Sequence, residues 1–291
     1  MKETLAGKRF SVSFEVFPPK NGGDHDRVFA AAEAIAALRP SFVSVTFGAG
    51  GAGSRYTEAL SRDIVQKYHV QVLPHMTCVG LSREECLSYL RWLSAAGIRS
   101  VMALRGDLKT GMKPSDMAEA DFPHASDLVK AIRAEGGFTI GAACYPEVHP
   151  ESANLEADLV HLKEKTDAGA DFLTTQMFFD NAILYRFLWK AREKGISVPI
   201  FPGIMPITSA SQVERAIHLS GCSMPERFLS LVDRFGRSPE AMKQAGIAYA
   251  TDQIIDLFAN GITNVHVYTM NKPDVAAAMM RNLQGILGTE A

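Results

Sequence analysis

Eight short apolar strands, each followed by a stretch of helical periodicity, predict a (β/α)8 barrel. Three observations carry that prediction. The strand candidates are rich in β-branched residues and recur along the whole chain. Segments with helix start and stop signals fill the gaps between them. No Pro- or Ser-rich linker and no low-complexity tract divides the 291 residues. Alternating β and α units imply parallel strands joined by right-handed crossovers. One barrel of about 250 residues accommodates such a chain, so residues 1–291 are read as a single barrel.

The first strand candidate spans 9–17, where Val12, Phe14 and Val16 alternate with Ser13, Glu15 and Phe17 before Pro18 and Pro19 end it. The others lie at 41–47, 70–78, 100–106, 139–146, 171–178, 198–206 and 262–270. Between them, Ser82 with Glu85 and Ser211 with Glu214 have the spacing of capping boxes. Gly97, Gly136, Gly195 and Gly261 stand where helices stop. The stretch 207–261 is too long for one helix and is read as two or three extra helices between strands seven and eight.

Barrel active sites form at the C-terminal ends of the strands. In order, those ends carry Glu15, Thr46, His75 with Thr77, and Arg105 with Asp107. Tyr145, Glu147 and His149 follow, then Gln176, then His266, Tyr268 and Asn271. Side chains two apart share a face. Glu15 therefore groups with Ser13, Thr46 with Ser44 and Arg105 with Asp107, opposite the Val12–Phe14–Val16 and Val43–Val45–Phe47 faces. A parallel sheet covered on both sides has no solvated face, so Glu15 is expected to point into the top of the barrel. Partial burial there raises its pKa and makes it a proton donor near neutral pH.

Other readings are narrowed by composition and spacing. A net charge of −2 and a pI near 6.5 argue against nucleic-acid or anionic-membrane partners. MKETLAGKRF lacks the apolar run of a signal peptide, and no stretch approaches the ~18 apolar residues of a membrane span. Cys78, Cys86, Cys144 and Cys222 show no CxxC spacing and read as free thiols of a reducing cytoplasm. The histidines form no HExxH or similar ligand pattern, so no metal is expected. GAGGAG at 48–53 matches GxGxxG, but the next strand ends in His75 and Thr77 instead of an acid, so it is read as a rim loop.

Three features keep two readings each. His75 is either a histidine satisfied by a backbone carbonyl or a site group. Arg105 and Asp107 are either an ion pair locking the rim or a binding pair. In the helix at 153–168, Asp158, His161 and Lys165 flank the Leu155–Leu159–Leu162–Thr166 stripe. They form either a solvated flank or the hold on a cofactor's ribose and phosphates.

Taken in order, SFEVFPP (13–19), FVSVTFGAG (42–50), PHMTC (74–78), ALRGDL (103–108), YPEVHPE (145–151), DAGADFLTTQMFFD (167–180), FPGIMPI (201–207) and VHVYTMNK (265–272) resemble the methylenetetrahydrofolate reductases. The likeness is to the short bacterial-type form without a C-terminal regulatory domain. It implies a barrel carrying FAD, in which NADH or NADPH and then 5,10-methylenetetrahydrofolate react in ping-pong order, in a cytoplasmic dimer or tetramer. It further implies catalytic roles for Glu15, as general acid, and Asp107. Cofactor contacts fall to Thr46, Phe47, Ala49, His75, Arg105, Gly106, Asp107, Ala125, Tyr145, His149, Asp158, His161 and Lys165. Substrate contacts fall to Glu15, Asp107, Gln176 and Lys272. Against the family pattern the chain has Ala210 for Phe, Lys272 for Arg, and His161 and Glu164 for Asn and Arg. Two rival functions are a pterin-binding methyltransferase-like barrel and a barrel subunit that takes electrons from a partner protein.

Overall fold

Strand and helix alternate along the chain in a computed structural model that describes residues 1–7, 9–19, 24–47, 55–108 and 111–288. A short helix α1 (Lys2–Leu5) leads into β1 (Ser11–Val16), α2 (His25–Ala36), β2 (Val43–Val45) and α3 (Arg55–Tyr68). Next come β3 (Val72–Thr77), α4 (Arg83–Ala95), β4 (Ser100–Leu104) and α5 (Ala125–Glu135). They are followed by β5 (Thr139–Cys144), α6 (Leu155–Asp167), β6 (Phe172–Thr175) and α7 (Asn181–Glu193). The seventh strand consists of two pieces, β7 (Ile200–Phe201) and β8 (Gly203–Ile204). Helices α8 (Ser211–Ser220), α9 (Glu226–Phe235) and α10 (Pro239–Ala259) precede β9 (Asn264–Tyr268) and α11 (Pro273–Leu283).

Every described strand pair is parallel, in the order β7-β6-β5-β4-β3-β2-β1-β9-β8. Only Pro202 separates β7 from β8, so the two ends of this order meet and the sheet closes as a (β/α)8 barrel. The single strand expected at 198–206 is split because Pro202 has no N–H for a ladder. Its carbonyl still accepts from His266 N at 2.8 Å, which fastens β9 to the break.

Strand alternation sorts the apolar residues into two shells. Val12, Phe14, Val16, Val43, Val45, Val101, Ile140, Leu173 and Val267 point outward and pack beneath the helices. Phe42, Leu73, Met102, Phe172 and Phe201 point inward and fill the lower barrel, with Met1 in the same cluster. Burying large side chains at about 1.5–3 kcal/mol each makes this lower half a packed plug, leaving the upper mouth for polar groups.

The upper barrel depends on one glycine. Tyr268 leans across the mouth and donates its hydroxyl hydrogen to Thr175 O at 2.6 Å. A Cβ on Gly203 would lie 2.3 Å from Thr175 O and 2.6 Å from the Tyr268 hydroxyl. Gly203→Ala is therefore expected to cost about 1–3 kcal/mol as overpacking. Urea unfolding would read it as a lower midpoint at constant m-value; an unchanged midpoint would refute the close approach.

The helix signals are met unevenly. Ser82 and Glu85 form the reciprocal capping box of α4, and Gly97, Gly136, Gly195 and Gly261 all have φ between +76° and +84°. Three helices occupy 207–261. Ser211 and Glu214 do not cap α8, because Ala210 is already helical and Ser211 is the first residue inside the helix. The Gln212 carbonyl oxygen captures Thr208 N at 2.8 Å and Ser209 N at 3.1 Å instead.

Candidate active site

The floor of the site is a histidine held by two serines. Register pairs Ser13 with His266, which places the imidazole one layer below the rim where the strand-end reading expected it. His266 Nδ1 lies 2.8 Å from Ser13 Oγ, and Nε2 lies 3.1 Å from Ser44 Oγ. Since Ser13 Oγ donates to Val265 O at 3.1 Å, Nδ1–H donates to Ser13 and Nε2 accepts from Ser44. Burial, reinforced by His75, pushes the His266 pKa down to about 3. His266 is thus a neutral core residue stacked on Phe42.

Glu15 and His75 sit directly above it. Both lie on inward positions of β1 and β3, with side chains 21% and 9% exposed, and His75 Nε2 is 3.6 Å from Glu15 Oε2. Burial alone raises the Glu15 pKa to about 8 and lowers that of His75 to about 4. Near pH 7 Glu15 therefore carries its proton and His75 is neutral. His75 Nε2 is buried without a hydrogen bond inside the protein. His75 therefore keeps one buried ring nitrogen without a protein partner, beside Glu15.

The rim after β4 differs from the strand-face expectation. β4 ends at Leu104, and Gly106 turns the chain with φ +84°. A Cβ there would meet the Thr77 side chain at 2.7 Å. Arg105 consequently pairs with Glu151 at 2.5 Å and not with Asp107, which stands exposed. The Arg105 guanidinium holds the Glu151 pKa below its ordinary value.

The loop after β5 brings together Tyr145 and His149, whose rings meet edge to face at 4.6 Å. Asp158 fixes this loop by accepting from His149 N at 3.0 Å and Ser152 Oγ at 3.2 Å. His149 Nδ1 accepts from Glu151 N at 3.1 Å, so its proton resides on Nε2. Val148 between them has φ +78°, an outlier for a β-branched residue. Glu147 anchors the other side by accepting from Ser223 N at 2.9 Å.

Lys165 completes the cluster from α6. Its ammonium donates to Ala143 O at 2.7 Å, and burial lowers its pKa. Ala143, Cys144, Tyr145, His149, Asp158, His161, Leu162 and Lys165 line one small cleft. All three stripe residues border this cleft, Asp158 and Lys165 half-buried and His161 exposed at its edge, 3.5 Å from Glu164.

The remaining predicted residues have distinct places. Thr46 is half-buried at the mouth, and its N–H donates to Val16 O at 3.0 Å. The Phe47 ring goes to the helical layer, edge-on to Tyr89. Ala125 opens α5 and is half-buried. Gln176 stands beside Tyr145 and accepts from Met177 N at 2.9 Å, and Lys272 Nζ donates to Thr208 Oγ1 at 2.7 Å across the loop after β8. Ala49 and the 48–53 segment lie outside the described residues. Sequence reasoning missed Glu151 and Ser223 as anchors; 46 and 76 residues from their partners, they leave no local signal.

These residues suit an anionic, hydrogen-bonding cofactor. Lys165 and Arg105 supply cations, and His75 Nε2 supplies an unsatisfied buried nitrogen. No group of three or more His, Cys, Asp or Glu able to hold a metal occurs among the described residues. No helix among them is long and apolar enough to cross a membrane.

Fold and site define the class: a parallel (β/α)8 barrel with its ionisable groups gathered at the C-terminal mouth. The family model described as methylenetetrahydrofolate reductase matches residues 1–284. The 5,10-methylenetetrahydrofolate reductase of Pectobacterium carotovorum is 35% identical over 276 residues, covering 94% of this chain and 90% of that protein. Methylenetetrahydrofolate reductase (NADH) 1 of Zea mays is 35% identical over 292 residues, covering 97% of this chain and 49% of that protein. The chain belongs to the methylenetetrahydrofolate reductase family. A solved Clostridium thermocellum protein described as binding two copies of 5-methyl-5,6,7,8-tetrahydrofolic acid has the same fold. Its TM-score is 0.70 at 14% identity, over 98% of this chain and 99% of that one.

Proposed function

We propose that this barrel reduces 5,10-methylenetetrahydrofolate to 5-methyltetrahydrofolate, with FAD as cofactor and NADH or NADPH as electron donor. The observation that carries the reading is Glu15: a carboxyl held protonated by burial, at the mouth of a barrel of this family. When bound, FAD would supply hydride transfer from nicotinamide to the folate methylene carbon.

The chain's own groups then have separable tasks. Glu15 gives its proton to the folate nitrogen that departs as the five-membered ring opens, since an unprotonated nitrogen anion is a poor leaving group. His75, neutral and unsatisfied at Nε2, offers a hydrogen-bond position at the cofactor. Lys165 and Arg105 attract its phosphates, and Tyr145, His149 and Asp158 shape the adjoining cleft. Asp107, exposed at the rim, presents a carboxylate to the folate, and Gln176 orients its pterin. Thr46 and Gly106 bring backbone to the mouth, Ala125 does so from the start of α5, and Lys272 contributes a cation on the folate side. A cytoplasmic location, where reduced folates and nicotinamides are available, fits these roles.

Lys165 gives a test that separates binding from folding. Lys165→Met removes a charged donor worth about 1.5–3 kcal/mol to a bound anion, so FAD affinity should fall by about 10–100-fold. The apo protein should keep or gain stability, because a buried cation bonded to one carbonyl is replaced by an apolar chain. Equal FAD affinity in parent and variant, measured by fluorescence titration, would remove Lys165 from the site. The function itself is tested by product formation: with FAD and either nicotinamide, 5,10-methylenetetrahydrofolate should yield 5-methyltetrahydrofolate. No product, even with dithionite as reductant, would reject it.

A further inference from the structure

On its β9 side, strand β1 loses its ladder partner immediately beyond Glu15. The last residue pair between β1 and β9 is Glu15 with Tyr268, yet three side-chain hydrogen bonds continue the connection. Thr269 Oγ1 donates to Glu15 O at 2.7 Å. Asn271 Nδ2 donates to Phe17 O at 2.8 Å, and Asn271 Oδ1 accepts from Phe17 N at 3.0 Å. One side-chain amide thus satisfies both backbone groups of the residue two beyond Glu15, as a neighbouring strand would. To present it, Met270 and Asn271 both take φ of +53°. Asn tolerates that region, but Met adopts it at a cost of about 1–2 kcal/mol. On the opposite side Thr46 N donates to Val16 O at 3.0 Å, so the peptides around Glu15 are held from both flanks.

We propose that Asn271 is a positioning residue whose amide, aided by the Thr269 hydroxyl, locks the end of β1 and keeps the Glu15 carboxyl inside the barrel mouth. The proposal rests on Glu15 being the acid of the reaction. Among the described residues, His75 faces Glu15 from β3 and Tyr268 faces it from β9, with Cys144 and Tyr145 near Tyr268; Thr46 lies on the β2 side. All four titratable groups are neutral near pH 7: burial lowers His75 and raises Cys144, Tyr145 and Tyr268. No neighbouring charge therefore sets the Glu15 proton affinity, and burial does. A frayed β1 end would let water reach the carboxyl and return it towards ordinary carboxylate behaviour.

The test titrates the Glu15 carboxyl by infrared difference spectroscopy in the FAD-loaded protein, the band being assigned by its loss in Glu15→Gln. In Asn271→Ala the midpoint should fall by about one unit or more, which leaves roughly tenfold less protonated acid at pH 9. The folate half-reaction should lose a similar factor there, while flavin reduction by NADH stays within about threefold. Thr269→Val should shift the midpoint in the same direction, and it decides the matter if Asn271→Ala does not fold. An unchanged midpoint in either folded variant, or an equal loss in both half-reactions, overturns the proposal. A shifted midpoint in a protein that forms no 5-methyltetrahydrofolate would uphold the lock and reject the functional reading instead.

Discussion

Glu15→Gln should leave flavin reduction by NADH or NADPH within about threefold of the parent, yet lower folate reduction by about 10²–10⁴-fold. The split follows from where a proton is needed: the nicotinamide step releases no ring nitrogen, whereas opening the folate ring does. Rapid-mixing absorbance would measure the two half-reactions separately. Equal losses in both would remove the acid role from Glu15.

The same substitution has a thermodynamic signature in the apo protein. Glu15 is raised from 4.5 to about 8 in the folded state. Between those values the native state binds more protons than the unfolded chain, so this group makes stability fall as pH rises. Glu15→Gln should therefore be more stable than the parent by up to about 3 kcal/mol at pH 7, and equal to it below pH 4.5. The carboxyl that serves the reaction destabilises the fold, a conflict common at active sites.

A second large effect is expected on acidification. His75 and His266 have folded pKa values of about 4 and 3, against 6.5 for an ordinary histidine. Below pH 6.5 the unfolded chain binds protons that these buried rings refuse, so their contribution to stability is complete above pH 6.5 and is lost as pH falls. Each contributes roughly 3 kcal/mol between pH 6.5 and 4, a large share of the ~5–15 kcal/mol typical of folded proteins. Between pH 4.5 and 6.5 Glu15 opposes them, leaving a net uptake of one proton on unfolding from these three groups. In Glu15→Gln that opposition is gone and the uptake becomes two. The slope of unfolding free energy against pH should be steeper in the variant by about 1.4 kcal/mol per pH unit. Urea unfolding at pH 5 and 6 measures it, and parallel slopes would contradict the burial of Glu15.

How much of this was legible in the sequence depends on how local each cause is. The inward direction of Glu15 was readable, because period-two alternation with Val12, Phe14 and Val16 is a property of six consecutive residues and a doubly covered sheet leaves one polar face. The Ser82 capping box was readable for the same reason. Strand-end position alone puts His266 at the rim, whereas its depth depends on register with Ser13, across 253 residues. The Arg105–Asp107 pairing failed because alternation holds only within a strand, and β4 stops at Leu104. The break at Pro202 was signalled by the proline, but its consequence, closure of the barrel through two short pieces, depends on β6 and β9. The α6 periodicity puts Asp158, His161 and Lys165 on one stripe, and all three border the cleft beside Tyr145, but how deeply each is buried depends on packing that spacing alone does not carry.

The ledger of charge at the mouth also explains why Glu15 and His75 coexist 3.6 Å apart without forming an ion pair. Pairing would require both to be charged in a buried space, and each desolvation penalty exceeds what one contact returns. The neutral arrangement keeps a transferable proton on one side and an open nitrogen on the other.

An anaerobic visible spectrum of the purified, FAD-supplemented protein, before and after NADH or NADPH, decides whether this barrel is a flavin-dependent folate reductase. The protein should be yellow, bleach with at least one donor and regain its colour when 5,10-methylenetetrahydrofolate is added. Failure to bind flavin at all, or bleached protein that methylenetetrahydrofolate leaves colourless, would contradict that function.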